Sequence, residues 1–385
     1  MLITTEDQLT RICGRIREIG TFGLDTEFVQ ERTYYPRLGI VQVAVDGVEA
    51  VLDPGAIGTL DPLLELVADP EIEKIVHAGR NDFEIFYQRS GRAPRNVFDV
   101  QVAAAFAGYG HQVSYANLVR RVTGVQLSKL ETLTDWTRRP LTEAQLEYAL
   151  HDVRHLRAVR EHLCELLGKL GREAWAREEC RFLSDEETYQ APVPEQMYLR
   201  LKTGGMTPRV LSVLRELAAW REVEAMRRDV PRGQVLRDEL IVEMARRPPA
   251  SKAAFANYRF LNPRVVERDG ASILAAVKRG LDGPYPPVAK APSRDASEPK
   301  IAPLCRLLEA WLRTRAMQAK VAPEMLATRT ELEELCHESL AGREARLPIL
   351  EGWRRELAGE DLLGILNGQI GLKVDSATGD IIAHR

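Results

Sequence analysis

"GLDTEF", residues Gly23–Phe28, has the alternation of side chains that is typical of a β-strand. Asp25 and Glu27 lie on one face of such a strand, and the apolar residues lie on the other. Two carboxylates this close repel each other, which raises the pKa of both unless a cation lies between them. The stretch therefore predicts a strand that presents an acid pair, and it leaves open which cation the pair holds.

Strand-like and helix-like segments alternate on both sides of this stretch, over residues 1–165. The strands nearest to it follow one another closely, as in a meander of hairpins, and the later strands alternate with helices. We therefore predict an α/β domain with a mixed sheet and helices on both faces. The candidate strands are "TFGLDTEF", "LGIVQVAV", "EAVLDP", "EKIVHAG" and "NVFDVQ", and the candidate helices are "LDPLLELVAD", "NDFEIFYQR" and a long helix from Glu143.

The strand pattern disappears after about residue 165, and the rest of the chain has helical periodicity. A charged helix and a Pro/Gly-punctuated connector come first, and two helical regions follow, over 206–282 and 300–375. Between these regions "DGPYPPVAKAPSRDASEP" has the composition of a stiff, solvated linker. The predicted division of the chain is 1–170, 171–205, 206–285, 286–299 and 300–385.

The two helical regions share four residues at a constant offset of 91 positions. An internal repeat is favoured, because these residues would line part of one helix face, while a chance match between two unrelated amphipathic helices is the alternative. The first region carries 15 Lys/Arg against 10 Asp/Glu and the second 11 against 12, so only the first offers net positive charge for phosphates. The recurring residues are Trp220, Ala225, Met226 and Val230, then Trp311, Ala316, Met317 and Val321.

The chain of 385 residues has an ordinary soluble composition, with 45% hydrophobic and 28% charged residues. Its formal net charge of −3 excludes a polycation, so any contact with nucleic acid depends on local patches. The five cysteines are scattered without metal-ligand spacing, which argues against a disulfide framework and a structural zinc site and favours a reducing compartment. The N-terminus lacks a secretory apolar region and no apolar run would span a bilayer, so we expect a cytoplasmic protein.

A further acid, Asp82, follows the candidate strand "EKIVHAG" at or near the start of a helix. The alternative interpretation is structural, because an acid in the first turn favours the helix dipole and Asn81 with Glu84 would form a capping box. Asp99 similarly precedes a predicted helix, where an N-cap is favoured over a metal ligand. Neither acid identifies a site when it is taken alone.

The stretch "LTEAQLEYALHDVRHL" predicts a helix with a well-marked start, because Thr142 and Gln145 form a capping-box pair. Tyr148 and Asp152 are four residues apart, so they project from one face of that helix, one turn from each other. A solvated pair on the helix surface is the alternative for these two residues in isolation.

The strand "GLDTEF", the helix start at Asp82 and the helix with Tyr148 and Asp152 together contribute four carboxylates and one phenol. Oxygen ligands of this kind and number suit two divalent ions, Mg²⁺ or Mn²⁺, with Zn²⁺ and Co²⁺ as further candidates. Two such ions about 4 Å apart can clamp the attacking and leaving oxygens of a phosphoryl displacement. We therefore predict a metal-dependent phosphodiesterase site in which Tyr148 orients the attacking water. The predicted metal ligands are Asp25, Glu27, Asp82 and Asp152.

The same segments carry a family resemblance. The four acids, with Tyr148 four residues before the last acid, resemble the tyrosine-bearing branch of the DEDD superfamily of 3′–5′ exonucleases. The histidine branch of that superfamily would have His in place of Glu147. Longer stretches resemble the ribonuclease D family, and "WREVEAMRRDVPRGQVLRDELIVEMARR" is similar to its first HRDC domain. "KVAPEMLATRTELEELC" resembles a divergent second HRDC domain that lacks the basic cluster. The longer stretches are "LDTEFVQERTYYPRLGIVQVA", "HAGRNDFEIF", "FDVQVAAAFAG" and "TDWTRRPLTEAQLEYALHDV".

The resemblance implies an RNase H-like exonuclease domain over 1–170, a first HRDC domain over 206–285 and a divergent HRDC-like domain over 300–385. It also implies an enzyme that trims RNA 3′ ends to nucleoside 5′-monophosphates, with tRNA precursors and other small stable RNAs as substrates. The expected partner is RNA with a single-stranded 3′ end, and the expected oligomeric state is a monomer. A 3′–5′ exodeoxyribonuclease and a non-catalytic nucleic-acid-binding adaptor on a dead nuclease fold are the alternatives.

Several basic or aromatic residues are candidates for contact with RNA. In "KLETLTDWTRRP" the cations would bind phosphates and Trp136 would stack on a base, unless it belongs to the core. In "RRDVPRGQVLR" an arginine cluster would follow the RNA backbone, unless it is a solvated helix end. The predicted contacts are Lys129, Trp136, Arg138, Arg139, Arg227, Arg228 and Arg232, with Arg237 completing the second cluster.

Overall fold

A six-stranded mixed sheet forms the centre of the N-terminal part of the chain. The computed structural model describes residues 1–127, 134–202, 204–285 and 298–384. The strands are β1 (Leu2–Ile3), β2 (Thr21–Val29), β3 (Arg37–Val45), β4 (Val48–Leu52), β5 (Glu73–Val76) and β6 (Val97–Asp99). Their order is β1-β4-β3-β2-β5-β6; β3 runs antiparallel to β2 and β4, and the other neighbours are parallel. The predicted mixed sheet is therefore confirmed.

Helices cover both faces of this sheet and make up most of the remaining chain. None of the helices in the described ranges is long and apolar enough to cross a membrane. They are α1 (Glu6–Ile19), α2 (Pro54–Ile57), α3 (Asp61–Ala68), α4 (Arg80–Ser90), α5 (Val100–Phe106), α6 (Tyr115–Thr123), α7 (Glu143–Arg154), α8 (Leu156–Leu170), α9 (Glu173–Cys180), α10 (Pro208–Arg228), α11 (Arg232–Val235), α12 (Asp238–Arg246), α13 (Pro263–Asp282), α14 (Glu298–Ala319), α15 (Arg329–Leu340), α16 (Gly352–Arg354) and α17 (Glu360–Leu366). Short 3₁₀ segments lie at Arg181–Ser184, Glu186–Tyr189, Pro194–Arg200, Lys252–Asn257, Pro323–Met325 and Pro348–Leu350, and a π-helical turn at Arg355–Gly359 joins α16 to α17.

Side chains alternate along β2, so the two faces of the sheet pack against different helices. Phe22 and Leu24 are buried in the core that contains α1 and α3. On the opposite face Gly23 lies so close to α8 that an added Cβ would meet Leu156 Cδ1 at 3.1 Å. The absence of a side chain at Gly23 thus lets the helix approach the sheet. The acid-bearing face of β2 is therefore the face that α7 and α8 cover.

The first helical region, α10–α13, has its own core and contacts the sheet domain through the β2–β3 loop. The Tyr34 hydroxyl donates to the buried Glu222 carboxylate, and Arg232 pairs with the same carboxylate while its guanidinium lies 5.0 Å from the Tyr34 ring centroid. The backbone N–H groups of Tyr34 and Tyr35 donate to Asp229 at 3.1 and 3.0 Å. This region is therefore joined to the loop that directly follows the acid-bearing strand.

The second helical region packs directly on the sheet domain, and the two share one hydrophobic core. Trp353 is buried in that core, with its ring edge-on to Phe106 at 4.8 Å and stacked on Trp175 at 5.5 Å. Arg354 and Glu179 form an ion pair of 2.8 Å beside this contact. The last part of the chain is therefore part of the same packed unit as the sheet domain. The exact domain boundaries stay predictions.

The two helical regions end their first long helix in the same way, which supports the internal repeat. Asp229 and Lys320 follow α10 and α14 in the left-handed conformation, with φ of 49° and 53°. Val230 N–H donates to Ala225 O at 3.1 Å, and Val321 N–H donates to Ala316 O at 2.9 Å, the long bond of a Schellman ending. The recurring Trp, Ala and Val side chains are buried, except for the half-exposed Val230. Met317 is exposed, so the four recurring residues do not all lie on one buried helix face.

A β-hairpin at the end of the chain corrects the prediction that residues beyond 165 contain no strand. Strands β7 (Gly371–Val374) and β8 (Ile381–His384) pair antiparallel, so the last predicted segment is not entirely helical. Each strand has only four residues, too few for a period of two to stand out from the preceding helical pattern. Leu372 and Ile381 pack against the shared core, and this tertiary contact stabilises a hairpin that would be marginal alone.

Candidate active site

The two acids of β2 lie side by side on the sheet, opposite β3. Asp25 faces Gln42 and Glu27 faces Ile40 across the antiparallel pair, and the register shifts directly after Glu27. The extra residue at this shift is Gly39 of β3, beside the acid pair, and bulges of this kind are common next to active sites. Both carboxylates are half-buried on the face covered by α7 and α8.

Asp82 is brought to β2 by a strained turn between β5 and α4. Ala78 has a φ of 56°, and an added Cβ on Gly79 would meet Val76 Cγ2 at 2.7 Å, so the turn needs glycine there. Gly79 occupies the N-cap, so the alternative in which Asn81 caps the helix is wrong. Asp82 itself is buried and accepts a hydrogen bond from the Thr26 hydroxyl. The turn and this bond fix the third acid beside the acid pair.

The Asp99 carboxylate stabilises this turn by accepting backbone hydrogen bonds. It accepts hydrogen bonds from the N–H groups of Ala78 and Gly79, both at 3.1 Å, and from Gln101 N–H at 2.8 Å at the start of α5. The predicted N-cap role of Asp99 is confirmed. With its oxygens used in this way, Asp99 positions the Asp82 turn.

Helix α7 brings the tyrosine and the last acid to the same face of the sheet. The predicted capping box is present: Thr142 accepts from Gln145 N–H, and the Gln145 side chain accepts from Thr142 N–H. Tyr148 packs against Trp136, with ring centroids 5.9 Å apart, over a small core formed by Ile40, Val51 and Ala149. Asp152 follows one turn later and is half-buried.

Asp25, Glu27, Asp82 and Asp152 form one electrostatic unit, here called the carboxylate cluster. Burial, reinforced by the charges of Asp152 and Asp82, raises the pKa of Glu27 to about 8. Burial and then the charges of Asp82, Asp152 and Glu27 raise the pKa of Asp25 well above its usual range. Burial raises the pKa of both Asp82 and Asp152 to about 7. The charges of neighbouring acids thus add to burial at Asp25 and Glu27, whereas burial alone is the main cause at Asp82 and Asp152; a bound cation would relieve both costs.

The donors of the carboxylate cluster fit Mg²⁺ or Mn²⁺, because both ions prefer carboxylate oxygens. Within the described ranges, no three His, Cys, Asp or Glu side chains are already arranged as a metal-ligand set.

The stability of the metal-free protein should fall as the pH rises from about 5 to 8. The acids of the cluster bind protons more tightly when folded than at their ordinary pKa near 4, so the folded state holds more protons across this range and loses stability as they leave. Divalent metal should reverse the loss, since the ions replace the protons. Thermal melts in EDTA and in Mn²⁺ at a series of pH values measure both effects. A metal-free melting temperature that rises steadily to pH 8 would contradict the clustering of the four acids.

The predicted RNA contacts around Trp136 are only partly accessible. Lys129 lies outside the described residues. Trp136 is 3% exposed beneath Tyr148, so the prediction that it stacks on a base is wrong and its alternative as a core residue holds. Arg139 is committed to Asp53 through bonds of 2.6 and 2.8 Å, which corrects its assignment to phosphate binding. Arg138 is exposed and stays a candidate.

The predicted arginine cluster of the first helical region is largely neutralised. Arg228 pairs with Asp269 and Glu224, and Arg232 pairs with Glu222, so these two side chains hold the helices and the Tyr34 contact together instead of forming an open patch. Arg227 pairs with Glu224 but keeps 64% of its side chain exposed. Arg237 is also exposed. The prediction is therefore wrong for Arg228 and Arg232 and stays open for the other two.

A cleft of about 710 Å³ opens onto Glu27 and was missed by sequence reasoning. The β2–β3 loop with Arg32 and the first residue of β3, Arg37, form one wall, and the segment 134–137 forms the other. The sequence gives no periodic signal for a cleft between two loops that lie about 100 residues apart. Thr26, Asp99 and Gln42 were likewise not assigned to the site, because their relation to the acids exists only after the strands pair.

Comparison with protein families gives two matches. Residues 1–167 match the family of 3′–5′ exonuclease domains, and residues 210–277 match the HRDC domain. The first match covers the sheet domain with the carboxylate cluster, and the second covers α10–α13.

Individual proteins resemble the chain over nearly its whole length. Ribonuclease D of Granulibacter bethesdensis is 41% identical over 97% of this chain and 94% of that protein. Ribonuclease D of Nitrobacter hamburgensis is 40% identical over 97% of each. The crystal structure of Escherichia coli RNase D, described as an exoribonuclease involved in structured RNA processing, superposes with a TM-score of 0.84 at 30% identity, covering 96% of this chain and 98% of that one.

Proposed function

The chain belongs to the ribonuclease D family of 3′–5′ exoribonucleases, and from this premise we propose that its reaction takes place at the carboxylate cluster. The observation that carries the proposal is electrostatic: four buried or half-buried acids from three separate segments all have raised pKa values, and the charges of the other acids contribute to the rise at Asp25 and Glu27. Such an arrangement opposes folding of the metal-free protein, so a function that uses these acids together is its best explanation.

The carboxylate cluster would hold two Mg²⁺ or Mn²⁺ ions. Bound there, the ions would supply an activated water and charge stabilisation for the departing 3′ oxygen. The chain's own part is to fix the ligands: β2 carries two of them on one face, the Thr26 hydroxyl holds Asp82, and the capped start of α7 sets the direction of Asp152. Preorganisation of this kind lets a static site stabilise charge that develops during reaction.

Tyr148 would orient the attacking water. Its ring is held against Trp136 at a centroid distance of 5.9 Å, and it lies one helical turn before Asp152. A phenol whose ring is fixed by packing presents its hydroxyl in one direction, which suits the positioning of a nucleophile.

The substrate would be the single-stranded 3′ end of an RNA, entering through the cleft that opens onto Glu27. Arg32 on one wall and Arg138 beside the other are placed to bind phosphates. We propose tRNA precursors and small stable RNAs as the RNA class, nucleoside 5′-monophosphates as products, and a monomer in the cytoplasm, where its five free cysteines would stay reduced.

Replacing Arg138 or Arg139 by Ala should separate RNA binding from stability. Arg138→Ala should raise the KM for RNA a few-fold and lower the salt slope of binding by about one, because one phosphate contact is lost. Arg139→Ala should instead lower the free energy of unfolding by about 1–3 kcal/mol, because it leaves Asp53, 9% exposed, without its guanidinium. Salt-dependent binding curves and chemical denaturation measure the two effects. If both variants changed RNA binding and the free energy of unfolding to the same extent, these separate roles would be contradicted.

The proposed function is tested by incubating the protein with 3′-tailed RNA and with DNA of the same sequence, in Mg²⁺, in Mn²⁺ and in EDTA. Metal-dependent release of mononucleotides from RNA is the expected result. Release chiefly from DNA would favour the exodeoxyribonuclease, and binding without release in any metal would favour the non-catalytic adaptor.

A further inference from the structure

Gln42 is a buried polar residue that the reaction described above does not use. Its side chain is 0% exposed, and neither its amide nitrogen nor its amide oxygen has a hydrogen-bond partner among the described residues. Buried amides are almost always hydrogen-bonded, because an unpaired one keeps the cost of losing its water. A fully buried amide with both atoms unpaired therefore points to a hydrogen bond that forms in the functional state.

The strand register places Gln42 next to the carboxylate cluster. It lies directly opposite Asp25 in the antiparallel pair of β2 and β3, so both side chains project from the same face with Cβ atoms about 5 Å apart. Its neighbour on the other side, Val51 of β4, is apolar and belongs to the small core with Ile40, Trp136 and Ala149. The polar group that the sheet offers to this amide is thus the Asp25 carboxylate.

We propose that in the metal-bound state the Gln42 amide donates a hydrogen bond to the Asp25 carboxylate, directly after rotation of either side chain or through one buried water, and so positions that carboxylate for a divalent cation. The inference rests on the proposed function of the carboxylate cluster. An N–H donor on one oxygen restricts rotation of the carboxylate and leaves the lone pairs of the other oxygen for the ion. Outer partners of this kind orient metal ligands in many sites, and losing them weakens metal binding. Gln42 is therefore a positioning residue and does not touch the reacting atoms.

The test is a calorimetric titration of the metal-free protein with MnCl₂ alone, without RNA, so that no turnover contributes. Gln42→Met keeps the length of the side chain but removes the donor, and it should weaken Mn²⁺ binding about 10- to 100-fold. Its melting temperature in EDTA should not fall, because an apolar side chain of similar shape replaces an unpaired polar one. Gln42→Leu is a second variant without the donor, in case the first does not fold.

Val43→Ala is the matched control. Val43 is the next residue of β3 and is buried on the opposite face, in the core with Phe22 and Leu24. This variant should lower the melting temperature and leave Mn²⁺ affinity unchanged. Wild-type Mn²⁺ affinity in the folded Gln42 variants would overturn the positioning role while leaving the proposed function intact. A wild-type protein that binds no Mn²⁺ would remove the proposed function, and this inference with it.

Discussion

Replacing Asp25 by Asn should lower exonuclease activity about 10³-fold or more while the protein stays folded. The ions supply several kcal/mol of transition-state stabilisation, and each 1.4 kcal/mol, roughly, is a factor of ten in rate. Asp25 is the acid whose pKa is raised by all three other members of the carboxylate cluster, so it is the central ligand of the proposed site. Steady-state rates on 3′-tailed RNA in saturating Mn²⁺ measure the loss.

The same variant should be more stable than the wild type in EDTA at pH 8. Asn removes one of four mutually repelling acids and keeps the shape of the side chain, so the metal-free state loses repulsion. Added Mn²⁺ should stabilise the variant less than the wild type, because a ligand is missing. Asp7→Asn, an exposed acid in the first turn of α1, is the control and should change neither activity nor metal response. Full activity of Asp25→Asn would remove the assigned mechanism.

Replacing Trp353 by Ala should lower the free energy of unfolding by about 3–5 kcal/mol, the range for truncating a large buried aromatic residue. Trp353 is 1% exposed, and its contacts with Phe106 and Trp175 join the second helical region to the sheet domain. Because the two regions share one core, the sheet domain should lose stability as well. Chemical denaturation followed by far-ultraviolet circular dichroism measures the change, and the temperature of thermal inactivation reports on the sheet domain.

Phe260→Ala is the matched control for this aromatic truncation. Phe260 is 75% exposed in the first helical region, so its replacement should change the free energy of unfolding by less than about 0.5 kcal/mol. If Trp353→Ala melted the C-terminal region alone and left thermal inactivation unchanged, the shared core would not couple the two regions. The second helical region would then not stabilise the sheet domain.

The features that follow from local periodicity were predicted from the sequence. The strand with Asp25 and Glu27 and the capped helix with Tyr148 each depend on residues within about ten positions of one another. A period of two or of 3.6 is visible over such a distance, and a capping box marks a helix start directly. The counts of charged residues also distinguished the first helical region, which is basic, from the second, which is not.

The errors concern residues whose role depends on a distant partner. Arg139 reads as a phosphate contact beside Arg138, but it is paired with Asp53, 86 residues earlier. Arg232 reads as part of a basic patch, but it shares Glu222 with Tyr34, nearly 200 residues away. Charge alone does not reveal whether a cation is free, because the neutralising acid comes from another element. Gln42 has the same property, since only the register of two strands places it opposite Asp25.

The proposed two-metal site is tested most directly by crystallography of the protein in Mn²⁺, using the anomalous signal of the metal. We expect two anomalous peaks among the carboxylates of Asp25, Glu27, Asp82 and Asp152, with at least the peak nearest to Asp25 lost in crystals of Asp25→Asn. The absence of peaks between these residues at saturating Mn²⁺, or peaks that persist unchanged in the variant, would contradict the proposed two-metal site.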